Sequence, residues 1–296
     1  MNSNSGNYIC LQNNRLKVEL SKPNSVYNGA RFDQTGLINQ VTLDGKHMFC
    51  TSEAYENGPS SGGRGLYNEF GIDTPVGYDE VLPGNQFTKI GVGLLTRDDK
   101  NYDFMETYEK IPYLIVNNTG NEKVEFLVEP MDCNGYSVRL KKTISINDNR
   151  LKISYELQNT GEKRIRTQEY CHNFISINHE ILGSEYLLRT SFEKEILEKH
   201  DKENYLTLCD DVIKWCCKPY KFHFYSFDVV NEPNEFFWEI YNKTEKTGVR
   251  ETCNFRPYKF NIWGVPHVIS PEMFYMIDIM PQETKTWERN YDFFID

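Results

Sequence analysis

From residue 136 to 146 the chain alternates. Tyr136, Val138, Leu140, Ile144 and Ile146 interleave with Ser137, Arg139, Lys141, Thr143 and Ser145. This period of two is the signature of a strand with one buried face. Asn147-Asp148-Asn149-Arg150 reads as a turn. Leu151, Ile153, Tyr155 and Leu157 resume the alternation, Asn159-Thr160-Gly161 turns again, and residues 164–176 form a further extended run. Together they predict a three-stranded antiparallel meander. Similar runs recur upstream at 15–20, 37–43, 87–95 and 123–128. Downstream they recur at 220–230, 236–241, 273–280 and 285–293. Turn-rich links join them, and no ladder of helical periodicity intervenes. The pattern predicts an all-β sandwich or barrel rather than βαβ units. No repeat and no Pro/Ser-rich linker divides the chain, so residues 1–296 read as a single domain.

One stretch breaks the pattern. Residues 53–86, EAYENGPSSGGRGLYNEFGIDTPVGYDEVLPGNQ, are rich in Gly, Pro, Asn and acidic side chains. Long ordered loops on a rigid sheet are where binding groups concentrate, and this stretch is expected to carry some. Its GGRG lacks the Lys-Ser/Thr of a phosphate-cradling loop and has no strand–helix context.

Composition agrees with the pattern. Aromatic residues make up 14% of the 296 residues, while alanine occurs only as Ala30 and Ala54. Strand formers are thus plentiful and the best helix former is nearly absent. Lys and Arg number 33 against 43 Asp and Glu, a net charge of −10. Such a balance argues against a nucleic-acid backbone or an anionic membrane surface as partner. No apolar run reaches the roughly 20 residues that span a bilayer. The opening MNSNSGNYIC has no hydrophobic core of a signal peptide, so the cytoplasm is the expected compartment. The eight cysteines form no C-x-x-C pair and read as scattered buried thiols.

Several side chains could carry chemistry. His172, within EYCHNF, shares one strand face with Tyr170, Phe174 and Ser176. A histidine among aromatics is partly desolvated, and its charge responds to a nearby carboxylate. Glu272 follows Pro271 and shares a face with Phe274, Met276 and Asp278. A carboxylate on an apolar face is costly unless paired. By themselves these residues read first as a hydrogen-bonded core histidine and an exposed strand-end glutamate. Cys171, His172 and His179 fit no zinc spacing, and no nucleophile elbow G-x-S-x-G occurs. Tyr78, Trp263 and Trp287 could stack on a sugar ring or fill a core.

Six segments, in order, resemble the galactose mutarotase-like (aldose 1-epimerase) superfamily. They are ARFDQTGLINQV (30–41), GLYNEFGIDTPVGYDE (65–80), FTKIGVGLL (87–95), EYCHNF (169–174), SPEMF (270–274) and PQETKTWERNYDF (281–293). The resemblance implies a large antiparallel β-supersandwich with a sugar cleft on one sheet and neither metal nor organic cofactor. It implies that an aldose or derivative is the small-molecule partner and that the activity is anomer interconversion. It assigns His172 as general acid and Glu272 as general base, with Pro281-Gln282-Glu283 at the position of the family's PGE-like turn. Such a pair would need a protonated histidine and an ionised glutamate together, states that their mutual attraction favours. The family's second histidine, in an HGG-like loop, has no counterpart in SSGGRGLYNEF. Arg31, Arg64, Glu69, Tyr78, Asp79 and Trp263 are the candidate sugar contacts. Two other functions share this fold: a carbohydrate-binding protein without chemistry, and an oligosaccharide lyase or hydrolase. A hydrolase would need a second carboxylate, such as Asp79 or Glu69, across the scissile bond.

Overall fold

The computed structural model describes residues 6–55, 58, 60–209 and 211–296. Alternation is the rule that builds it. The Val138–Asn147 strand buries every second residue, and Arg150–Asn159 follows it in antiparallel register from Val138↔Asn159 to Asn147↔Arg150. Among the described residues nearly all regular structure is antiparallel strand, with short 3₁₀ turns at Tyr78–Glu80 and Ile177–His179.

Two ten-stranded sheets face each other. The first, which carries the cleft, runs in spatial order Tyr8–Gln12, Leu16–Ser21, Leu37–Leu43, Leu66–Phe70, Ile165–Asn173, Val268–Ile279, Lys259–Val265, His223–Val229 and Lys194–His200. His47–Met48 pairs beside Leu37–Leu43. The second contains both strands of the 138–159 hairpin, flanked by Lys123–Val128 on one side and the C-terminal Thr284–Ile295 on the other. Leu20, Val41, Leu140, Ile144, Ile153 and Ile277 meet between the sheets without exposed surface. Gln86–Lys89, Gly93–Thr96 and Lys110–Pro112 form a third, small sheet.

Four sequence expectations are corrected here. The meander has two strands in one sheet, not three: Ile165–Asn173 crosses to the opposite sheet and pairs with Leu66–Phe70 and Val268–Ile279. Asn159 anchors this crossing, its side-chain amide donating to the carbonyls of Lys163 and Ile279. The run 87–95 is a hairpin bent at Gly91 (φ +78°), where a Cβ would meet the Asp33 carboxylate. Within the 53–86 stretch, Leu66–Phe70 is a fully buried central strand rather than loop. All eight cysteines are free thiols, as their spacing suggests, but only Cys50, Cys171 and Cys253 are buried; Cys10, Cys209, Cys216 and Cys217 are exposed.

A polar network lies between the sheets. Arg289 donates to Glu169 and Glu251, Trp238 and Asn173 donate to Glu251, and Lys142 donates to Asn68 and approaches Asp33. Buried charges are tolerated only when paired and hydrogen-bonded. Here each meets opposite charge directly below the cleft strands. Among the described residues no helix is long and apolar enough to cross a membrane.

Candidate active site

His172 and Glu272 come together through adjacent strands. Backbone pairing runs from Ile165↔Ile279 to Glu169↔Tyr275 and resumes at Ile175↔Ile269. Pro271, which has no N–H, lies in the gap. There the Asn173 N–H donates to Ser270 Oγ (2.8 Å), and the Asn173 side chain donates to the Pro271 carbonyl (2.7 Å). Ser270 Oγ in turn donates to Glu272 Oε1 (2.9 Å), which fixes the carboxyl group. His172 Nδ1 lies 3.2 Å from the same oxygen, but the oxygen is off the line of a ring N–H and no hydrogen bond forms. The imidazole stacks on Phe174 (3.9 Å between centroids, 10° between planes) and meets Trp263 edge-on at 5.2 Å.

The pair sits in a cavity of about 640 Å³, within the usual range for a small-molecule site. His172 is 3% and Glu272 4% exposed. Burial drives the electrostatics. It lowers the His172 pKa well below its ordinary value, and the charge of Arg31 lowers it further. It raises Glu272 to about 8, although Ser270, Arg31 and Lys259 pull the other way. At neutral pH the resting pair is therefore an uncharged imidazole beside a protonated carboxyl. This corrects the charged pair expected from mutual attraction. Desolvation is the largest influence on both groups, and it favours the uncharged form of each.

The other candidate contacts divide. Arg31 lines the cavity with its guanidinium already engaged: it donates to Glu69 (2.8 Å), Tyr170 (2.9 Å) and Ser61 (2.8 Å) and approaches Glu53. Trp263 forms part of the wall. Glu69 does not reach the cavity. It is fully buried behind Arg31 and bonded to Lys89, and although burial would raise its pKa, Lys89 and Arg31 hold it below the ordinary value. Arg64 is exposed and lines a separate depression beside Tyr27 and Tyr67. Tyr78 is buried against Phe87, with its hydroxyl on the Lys100 carbonyl and Arg97 over its ring. Asp79 is exposed on the same short turn, outside the cavity. This turn packs on the small third sheet, which carries both residues away from the cleft. Trp287 is core, stacked on Tyr155. Asp278 pairs with Arg164 at the far end of its strand.

Sequence reasoning missed much of the opposite wall. Lys259 and Asn261 enter from the strand beside Glu272, Phe224 and Ser226 from the next, and Glu198 and His200 from the edge. Alternation does place Asn261 with Trp263 and Phe224 with Ser226 on common faces. It cannot say that these faces border His172. The second histidine of this cavity is His200, from the edge strand rather than the loop. Of the 53–86 stretch, Glu53, Tyr55, Gly58, Ile72 and Asp73 line the cavity, while residues 56, 57 and 59 lie outside those described. Among the described residues no group of three or more His, Cys, Asp or Glu is arranged to hold a metal ion.

No family model and no curated protein sequence matches the chain. Solved structures do match its fold. An Escherichia coli K12 protein provisionally described as an aldose 1-epimerase superposes with a TM-score of 0.60 at 10% identity, covering 98% of this chain and 99% of that one. A galactose mutarotase-like protein from Lactobacillus casei gives 0.60 at 9% identity over 97% and 100%. The aldose epimerase homologue of C. elegans gives 0.55 at 12% identity over 97% and 98%. The architecture is thus the galactose mutarotase-like β-sandwich, the fold class that the sequence segments implied. At these identities the likeness concerns fold alone.

Proposed function

We propose that this chain interconverts the anomers of an aldose by acid–base catalysis at His172 and Glu272. One observation carries the reading: the two groups lie 3.2 Å apart, both buried, in the cavity of a galactose mutarotase-like sandwich. Opening a cyclic hemiacetal requires removing the anomeric hydroxyl proton and delivering a proton to the ring oxygen. The open aldehyde then turns about its C1–C2 bond and recloses with the two roles reversed. The pair holds one proton between its members, so it can give one and take one in each half-reaction. As the sugar's hydroxyls enter, a small turn of the ring that brings Nδ1 into line with Glu272 Oε1 would let that proton pass to His172, producing the imidazolium acid and carboxylate base. Each positioned proton-transfer group contributes about 10²–10⁴ in rate.

Exchange NMR on glucose, galactose, xylose and arabinose tests this. The protein accelerates α/β exchange of at least one of them, and His172→Ala and Glu272→Gln each reduce the acceleration by about 10² or more. Full activity in both variants would end the assignment, and binding without exchange would favour a carbohydrate-binding protein.

A further inference from the structure

Glu272 is one step in a longer row. Strand pairing sets Glu272 beside Asn261, Asn261 beside Ser226, and Ser226 beside Glu198. With His172 on the other side of Glu272, five polar side chains from five neighbouring strands stand at one level, and all line the cavity. Four interstrand steps of about 4.8 Å make this row about 19 Å long, several times the separation of His172 and Glu272. The reaction proposed above uses only its first two members.

Exposure changes along the row. Asn261 is 7% and Ser226 6% exposed, while Glu198 and His200 at the edge are open to solvent. The cleft therefore runs from a closed end at the proton-transfer pair to an open end at the edge strand. Asn261 Oδ1 is buried with no hydrogen-bond partner among the described residues. A buried acceptor left unpaired is costly, so it is suited to a donor that arrives with a ligand.

An aromatic row runs alongside. Phe224 pairs across strands with Trp263 on one side and His200 on the other. Phe222 lies parallel to Phe224, with ring centroids 6.4 Å apart and planes within 10°. Flat apolar rings beside a row of carboxyl, amide and hydroxyl groups match a chain of sugar rings, which presents apolar C–H faces and hydroxyl edges. The cavity's cations do not form a phosphate clamp. Arg31 is held by Glu69, Tyr170 and Ser61, and Lys259 lies over Phe274.

We propose that the ligand of this cleft is a neutral reducing oligosaccharide of at least two sugar units. Its reducing unit would sit at His172 and Glu272, and the next unit along Asn261, Ser226 and Glu198 against Trp263 and Phe224. The orientation rests on the epimerase reading; the length and chemistry of the ligand rest on the row itself.

The test compares glucose and galactose with maltose, cellobiose and lactose in anomer-exchange kinetics. It runs in parallel with calorimetric titration of the exchange-deficient Glu272→Gln protein. At least one disaccharide is preferred over its monosaccharide by about tenfold or more, the scale on which added recognised groups discriminate. Phe224→Ala and Glu198→Gln lower that ratio toward one; Glu198 is exposed, so its variant tests the row without disturbing the core. Exchange of monosaccharides with no disaccharide preference overturns this inference and leaves the epimerase reading standing. Binding of a disaccharide dependent on Phe224, without exchange of any sugar, supports the long cleft and removes the epimerase reading. A preference that survives in both variants, or no binding of any of these sugars, overturns it.

Discussion

Glu272→Gln should alter the pH dependence of stability as well as activity. In the folded protein the carboxyl titrates at about 8 instead of 4.5, chiefly because burial penalises its charge. Between these values the folded state keeps a proton that the unfolded chain has released. Stability contributed by Glu272 is therefore fully present below about pH 4.5, declines as pH rises, and is gone above about 8. This is opposite in sign to a salt-bridged carboxylate. At about 1.36 kcal/mol per pH unit, 3.5 units set a ceiling of about 5 kcal/mol, comparable to the whole stability of a small domain. Glutamine does not titrate and keeps the shape. Urea denaturation of both proteins at unit steps from pH 5 to 9 isolates the effect. Asp33 and Glu251 are also raised by burial, but both proteins contain them and they cancel in the difference. The wild type should lose stability relative to the variant by more than about 1 kcal/mol per pH unit up to about pH 8, then run parallel to it. A difference flat within about 1 kcal/mol would mean that Glu272 is ionised in the folded protein, and the uncharged resting pair would be wrong.

On the proposed reaction the same pair should set the pH profile of exchange: activity should fall above about pH 8 as the pair loses its proton, and persist below pH 6.5 because burial keeps His172 from taking a second. A plateau extending to pH 10 would contradict this. Ser270→Ala removes the hydroxyl that holds Glu272 and lowers its pKa. It should move the alkaline limb upward by about one unit, the scale of one hydrogen bond to a charged group, read from the pH–rate profile. Glu69→Gln leaves buried Arg31 and Lys89 short of their counter-ion and should cost about 3–5 kcal/mol in urea denaturation; a loss below about 1 kcal/mol would show the cluster to be solvated. Gly65 has φ +59°, and a Cβ there would lie 2.0 Å from the Ile38 carbonyl. Gly65→Ala should cost at least about 2 kcal/mol, again by urea titration.

What the chain determines locally could be read from it. The alternation of 138–147 specified a strand and its buried face, because side chains alternate across a strand whatever its neighbours are. The ordered segments that contain His172 and Glu272 pointed to the fold, and the cavity does contain both residues. Alternation carries no address for a partner strand. It could not reveal that Arg150–Asn159 pairs with the C-terminal strand while Ile165–Asn173 crosses to the other sheet. Nor could it separate Arg31, in the cleft, from Glu69 buried behind it, or from Tyr78 and Asp79, which the third sheet draws away. The row from His172 through Glu272, Asn261 and Ser226 to Glu198 joins residues far apart in the chain, and it exists only because their strands lie side by side in register. The charge of the pair was likewise decided by tertiary structure. Opposite charges attract each other in any solvent, but the cost of charging either group depends on how much water the fold removes, and here burial disfavours the charged form of both.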